Sequence, residues 1–300
     1  MQIQNNPAVR QSGKLGKPRL LIIGCGDVGM RMLPLLRERY RVFAVTTQAE
    51  RAVALRASGA IPILADLDQP HTLRRLARLA PTVLHLAPPP AEGRIDRRTR
   101  NLTAILPERT TLVYVSTSGV YGDCSGALVH ETRPVKPKNA RAIRRVDAET
   151  SLRSWARRSK SRLAIVRVPG IYASDRLPIE RLQKGTPALI DADDVFTNHI
   201  HADDLARIVI AAMRRMQPLR IYHAVDDSDM KMAAYFDAVA DAMGLPRPPR
   251  LPRAELQHHV TPAMLSFMAE SRRLSNQRLK NELGVCLQFP TVAAGVAAIR

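Results

Sequence analysis

Residues 19–23 form an apolar run of buried-strand length that leads directly into a cluster of three glycines and then into a helix-like stretch, Met30-Arg31-Met32-Leu33-Pro34-Leu35-Leu36. The same alternation continues. Residues 41–46 read as a second strand, 48–58 as a helix, 60–65 as a third strand and 71–79 as another helix. Two further β-rich runs, 82–86 and 111–115, flank a polar helix-like stretch over 97–106. The strands read as continuous apolar runs, the pattern expected where helices cover both faces of a parallel sheet. Beyond residue 130 the pattern gives a long helix over 140–156 and a strand over 163–168, then a Pro- and Gly-punctuated stretch to about residue 194. A helix over 202–213, a strand over 220–225, a helix over 230–243 and a proline-rich segment over 245–252 follow. The fold class is therefore α/β, a doubly wound parallel sheet with a small C-terminal lobe.

Composition narrows the setting. Of 300 residues, 45% are hydrophobic and 24% charged, ordinary globular usage that argues against wholesale disorder. Cys25, Cys124 and Cys286 stand far apart, without metal-ligand spacing or the even count of a disulfide framework, and read as free thiols. Residues 1–17 are polar, lack the apolar core of a signal peptide and read as a flexible tail, and no later segment stays uncharged long enough to span a bilayer; the expected location is cytoplasmic, with no membrane partner. The net charge of +19 raises the question of nucleic acid. Against it, the arginines are scattered over nearly every expected helix, as at Arg74-Arg75, Arg157-Arg158 and Arg214-Arg215, without aromatic interleaving or a nucleic-acid motif. The expected partner is a small molecule, with no specific nucleic acid.

The chemistry begins at Gly24-Cys25-Gly26-Asp27-Val28-Gly29, placed between a strand and a helix. A dinucleotide needs a turn whose backbone amides approach the pyrophosphate, and glycines at the close-approach points remove the side chains that would block it. The helix that follows offers unpaired N–H groups and a partial positive charge to phosphates. The second strand ends Val45-Thr46-Thr47-Gln48, with no carboxylate for the ribose hydroxyls and with Arg51 one turn later, which favours NADP over NAD. Arg51 also has a plainer reading as a solvated helix residue. Asp66, at the end of the third strand, either meets the adenine or caps the next helix.

These elements, with Ala65-Asp66-Leu67, His85-Leu86-Ala87-Pro88-Pro89, Val115-Ser116-Thr117-Ser118-Gly119-Val120-Tyr121-Gly122 and Ile200-His201-Ala202-Asp203-Asp204, resemble the extended and atypical short-chain dehydrogenase/reductases, the NAD(P)-dependent epimerase/dehydratase proteins. The resemblance runs over residues 19–300. It implies a Rossmann domain over 18–170 and a mixed region over 171–300 that completes the sheet and forms a substrate-binding lobe. It implies cofactor contacts from Gly24, Gly26, Asp27, Val28, Gly29, Thr47, Asp66, Leu67, Leu86 and Ala87, and a homodimer. In such enzymes a Ser or Thr holds the substrate oxygen, a Tyr exchanges the proton and a Lys four residues later orients the nicotinamide ribose. The match puts Thr117 at the Ser/Thr position, beside Ser116 and Ser118; the plainer reading is that these hydroxyls end a strand.

At the other two positions the sequence departs from the pattern, with Arg141 for the tyrosine and Arg145 for the lysine. Four residues apart, they share a helix face. A guanidinium stays protonated and is a poor substitute for a phenol in proton exchange. Two readings stand: Arg141 clamps a substrate phosphate or carboxylate while Arg145 bonds the ribose, or both are surface charges, with Arg145 paired to Glu149. Tyr121 is the nearest phenol, but its reading is a buried structural tyrosine. His130, His201, His258 and His259 match neither a metal site nor a triad, so no metal is expected, and His201 reads as a packing or capping residue. Two functions follow as expectations: an NAD(P)-dependent oxidoreductase or epimerase acting on a small anionic or sugar-nucleotide substrate, or a catalytically silent dinucleotide-binding sensor.

Overall fold

Leu20 and Ile22 pack into one apolar cluster while Leu21 and Ile23 pack into another, so consecutive side chains of a single strand face two separate cores. This alternation requires cover on both faces of the sheet. The computed structural model describes residues 16–299. Its central sheet has seven strands: β1 (Arg19–Ile23), β2 (Arg41–Thr46), β3 (Ile61–Leu64), β4 (Thr82–His85), β5 (Thr111–Thr117), β6 (Arg162–Val168) and β7 (Arg220–His223). Their lateral order is β7-β6-β5-β4-β1-β2-β3, and every neighbouring pair is parallel. This is a Rossmann-type order, reversing between β1 and β4.

Helices α1 (Asp27–Leu36) and α2 (Arg51–Ala57) cover one face; α3 (Arg97–Ile105) and α4 (Ala140–Arg158) cover the other. α5 (Ala202–Arg215) and α6 (Met232–Met243) follow, and α5 joins α1 in its core. α4 contributes Ala148, Leu152 and Trp155 to its core and is capped by Asn139, whose side chain accepts the Ala142 N–H at 2.8 Å. α5 starts at His201, whose Nδ1 accepts the Asp203 N–H at 3.2 Å, the capping role expected of it. A smaller lobe builds its own core from Leu189, Phe236, Val239, Met268 and Val292, with α6 as its main helix. It meets the sheet through a short parallel pair, Gly170–Tyr172 with His199–His201.

Three expectations are corrected. The helix expected over 48–58 begins only at Arg51, because Thr46 Oγ1 accepts the Gln48 N–H at 3.1 Å and holds a turn there. The helix expected over 71–79 is a 3-10 segment, Pro70–Leu76, and Thr72 Oγ1 bonds back to both the N–H and the carbonyl of Asp66. Met230 and Lys231 pair with Phe196 and Thr197 as a short antiparallel strand, so α6 starts at Met232. Of the expected tail, residues 1–15 lie outside the described residues, and Lys17 Nζ donates to the Arg37 carbonyl at 3.0 Å. Among the described residues no helix is long and apolar enough to cross a membrane, and all three cysteines are free.

A buried polar network locks α4 to the sheet. Arg167 on β6 donates to Glu149 on α4 through Nε at 3.1 Å and Nη2 at 2.6 Å, and Ser116 Oγ donates to the same carboxylate at 2.7 Å. Arg167 Nη1 also reaches the Tyr121 hydroxyl at 2.6 Å, which meets His223 Nε2 at 2.6 Å. Tyr121 is thus a structural tyrosine, and Glu149 is not the partner of Arg145. With Arg167 buried, removing its carboxylate strands a charge, at a cost of about 3–5 kcal/mol. Urea denaturation of Glu149→Ala is expected to show a loss of that size. A loss under about 1 kcal/mol, the range of an exposed pair, would mean that the guanidinium finds water instead.

Candidate functional site

The order reversal between β1 and β4 opens a crevice at their C-terminal ends, the usual place for a ligand in an open α/β sheet. Three glycines shape it, each for a different reason. Gly24 has φ +80°, and a Cβ there would stand 2.7 Å from both N and Cα of Ala87, so the end of β1 lies directly against the end of β4. A Cβ on Gly29 would lie 2.9 Å from Cys25 Sγ, so the first turn of α1 packs closely on the turn that leads into it. At Gly26, by contrast, a Cβ would meet nothing within 4 Å: its missing side chain faces open space at the start of α1, which has no side-chain cap. An uncapped helix end behind an open glycine suits an anion.

The crevice encloses about 300 Å³ and is lined by Gly24, Gly26, Thr47, Arg51, Asp66, Leu67 and Ala87. Val28 and Leu86 instead pack on the core beneath it. Asp66 lines the crevice, and its Oδ1 accepts the Asp68 N–H at 2.9 Å instead of capping the next helix, whose N-cap is Gln69. Asp27 turns away to Arg31 at 2.9 Å and Arg176 at 2.8 Å; burial raises its pKa, but these hydrogen bonds prevail and hold the carboxyl below the usual range. Arg51 has no ion pair among the described residues, whereas its neighbour Arg98 is held by Asp68 at 2.6 Å. Burial pushes the Cys25 thiol up to about 11, so it is not a nucleophile at neutral pH.

A larger cavity, about 690 Å³, lies at the ends of β5 and β6, against the start of α4 and the small lobe. Thr117 and Arg141 line it. Thr117 Oγ1 accepts the Gly119 N–H at 3.2 Å, ending the strand as the plainer reading had it. Arg141 lies over the Phe267 ring at 5.5 Å. The Arg145 Nη1 donates to the Val115 carbonyl at 2.7 Å and the Tyr114 hydroxyl at 2.9 Å, and the expected pair with Glu149 is not formed.

Sequence reasoning passed over several residues of this cavity. The end of β5 is in register with Val168, two residues before Gly170, and Gly170 is in register with His199. His199 carries Tyr235 stacked on it, ring centroids 4.0 Å apart. Burial pushes His199 down to about 3 and Tyr235 up to about 12, so both are neutral at neutral pH. Arg144, Glu270 and Arg272 also belong to the polar part of the wall, with Ser118, Thr197 and Ser266 among others. His199 stands two residues before the histidine that the sequence motif did single out, whereas Tyr235 sits in an amphipathic helix and carries no local signal.

Comparison with known proteins gives this arrangement a context. The RmlD substrate binding domain model matches residues 99–289, and the TrkA-N domain model matches residues 20–78. The chain belongs to the RmlD substrate binding domain family. That agrees with its resemblance to the epimerase/dehydratase proteins. No curated protein matches it in sequence. Among solved structures it is similar to a functionally unknown conserved protein of Silicibacter pomeroyi DSS, at 29% identity over 94% of this chain and 98% of that one, with a TM-score of 0.79. It shares its fold with the UDP-glucose 4-epimerase of Thermotoga maritima, at 17% identity, 93% and 96% coverage and a TM-score of 0.76. The UDP-glucuronic acid 4-epimerase of Bacillus cereus, solved in complex with NAD, is similar at 17% identity, 93% and 96% coverage and a TM-score of 0.73.

The glycine geometry separates two substitutions. Gly24→Ala forces both a positive φ and a backbone clash, and is expected to lower stability by about 1–3 kcal/mol in urea denaturation. Gly26→Ala should leave the urea midpoint at the parent value; an equal loss in both would mean that Gly26 is structural too. Asp226, whose Oδ2 is buried without a partner among the described residues, gives a pH test. Burial pushes its pKa up to about 7, from an unfolded value of about 4, so the folded state holds the extra proton between these values. Its contribution to stability therefore falls as pH rises from about 4 to about 7. Asp226→Asn is expected to match the parent near pH 4 and to exceed it increasingly up to about pH 7; a difference that does not vary with pH would show that the carboxyl is ionised throughout.

Proposed function

We propose that the chain binds a nicotinamide dinucleotide in the glycine crevice and acts as an oxidoreductase or epimerase of the atypical short-chain class on a small anionic molecule in the larger cavity. The observation that carries this reading is the division of labour among the glycines: two are required by the protein's own packing, and Gly26 leaves open space at an uncapped helix end. The two cavities open on the same sheet edge, at the ends of adjacent strands β4 and β5. A nicotinamide bound there would supply hydride transfer. The chain's part is orientation: Thr117 Oγ1 accepts from Gly119, so its own proton is free to donate to a substrate oxygen. Arg51, unpaired at the adenosine end, favours NADP.

A second reading has its own support. Arg141 replaces the proton-exchanging phenol and Arg145 is bound to the strand, so a silent dinucleotide sensor is the alternative. Calorimetric titration with NADPH and NADH tests both. Saturable binding is expected for the parent, a loss of at least about tenfold for Gly26→Ala, and a selective loss of NADPH for Arg51→Ala. If the parent bound neither nucleotide, both readings would fall. Nicotinamide-dependent turnover of any small carbonyl compound by the nucleotide-bound protein would exclude the sensor.

A further inference from the structure

The larger cavity has an unbalanced charge. Four arginines line it, Arg141, Arg144, Arg176 and Arg272, against one carboxylate, Glu270. Arg176 is held by Asp27 at 2.8 Å. Arg272 is held by Glu270 at 2.8 Å, and the other oxygen of Glu270 accepts from Asn139 Nδ2 at 3.3 Å. That leaves Arg141 and Arg144 without a counter-ion. Arg141 makes neither a hydrogen bond nor an ion pair among the described residues; only the Phe267 face holds it. Arg144 is 7% exposed, donates through Nη1 to the Gly93 carbonyl at 2.8 Å, and has its Nε buried with no partner. No carboxylate lies within ion-pair distance of it among the described residues.

A guanidinium taken out of water without an anion costs several kcal/mol. Arg144 is such a guanidinium, and Arg141, exposed to solvent and unpaired among the described residues, lines the same wall three residues away on the same face of α4; together they make a site that an anion completes. They sit near the positive end of a 19-residue helix, which adds to the attraction. The rest of the wall is mixed. Ile171, Met232, Tyr235, Phe236, Met264 and Phe267 present an apolar and aromatic part, beside polar side chains that include Ser118, Thr197 and Ser266. A sugar ring lying on the apolar part would leave hydroxyls without partners there, each at a cost in affinity.

We propose that this cavity takes a small molecule with one oxyanion, a carboxylate or a phosphate, held by Arg141 and Arg144, and an apolar body lying on the aromatic wall, rather than a nucleotide sugar. This narrows the substrate class of the function proposed above and rests on that reading for its catalytic meaning. Arg141, the departure from the tyrosine pattern, is then a specificity residue. Thr117 offers a further polar contact for an oxygen of the ligand.

The test is calorimetric titration of the full chain, without nucleotide, using phenylpyruvate, octanoate, phenyl phosphate and UDP-glucose. Saturable binding is expected for at least one of the first three, tighter than for UDP-glucose. Phenylpyruvate against phenyl phosphate tells a carboxylate site from a phosphate site. Arg141→Met and Arg144→Met should each weaken that binding about tenfold or more, and Arg158→Met, which removes the same charge at the far end of α4, should leave it unchanged. Because Arg141 has no partner to lose, its variant keeps the fold even where Arg144→Met does not. The proposal is overturned if UDP-glucose binds as tightly as the other three, if none of the three binds, or if Arg141→Met and Arg158→Met have the same effect. Loss of dinucleotide binding by the parent would sink the cofactor reading and leave these titrations unaffected.

Discussion

The end of β1 lies so close to the end of β4 that no side chain fits between Gly24 and Ala87. Everything at the upper edge of the sheet depends on this approach. It brings the two strands together where the order reverses, so the loops that leave them diverge to opposite faces and open a crevice between them. It also sets where α1 starts, and Gly29 then lets that helix settle against Cys25. The open position at Gly26 is a consequence: with helix and strand pressed together on both sides of it, the only unfilled direction is outward.

A second constraint acts one strand over. Arg167, Glu149, Ser116, Tyr121 and His223 form a buried network whose members come from β5, β6, β7, α4 and the turn after β5. Replacing such a pair by apolar groups of the same shape is often no less stable, so its value is better sought in specificity of position. Here the position concerned is that of α4. Glu149 ties the middle of that helix to the sheet and Arg145 ties the turn before it to Val115. Arg144, next to Arg145, and Arg141, one turn nearer the N-terminus, are thereby held at the larger cavity.

Much of this fold was legible in the sequence because its strands are buried on both sides and read as unbroken apolar runs. Nearly every sheet strand and major helix falls where periodicity places it. Two of the three misses share a cause: at Thr46 and Thr72 a side-chain hydroxyl bonds to nearby backbone and stops or tightens a helix that apolar spacing alone would extend, whereas Met230 and Lys231 are drawn into a strand by a distant partner, Phe196 and Thr197. The site was legible by halves. The glycines declare themselves because the need for them is local, whereas the larger cavity is assembled from segments more than a hundred residues apart. Arg141 was identifiable by its place in a motif. Arg144, three residues on, was not, since nothing local distinguishes a buried arginine from the exposed ones around it.

That contrast bears on how the net charge of +19 should be read. Many of the arginines are answered by carboxylates, as Arg98 is by Asp68, Arg100 by Asp147 and Arg250 by Asp237. Such partly exposed pairs contribute little to stability and say little about partners. The informative cations are those that a cavity wall holds without an anion, because the protein bears their desolvation and gains nothing from them until a ligand arrives. By that criterion Arg144, buried in the larger cavity, is the most informative, and Arg141 beside it and Arg51 in the crevice are unpaired cations at the two candidate sites. A buried guanidinium without an anion, unlike an exposed one, costs the protein stability, and that cost is what ties Arg144 to a ligand rather than to solubility.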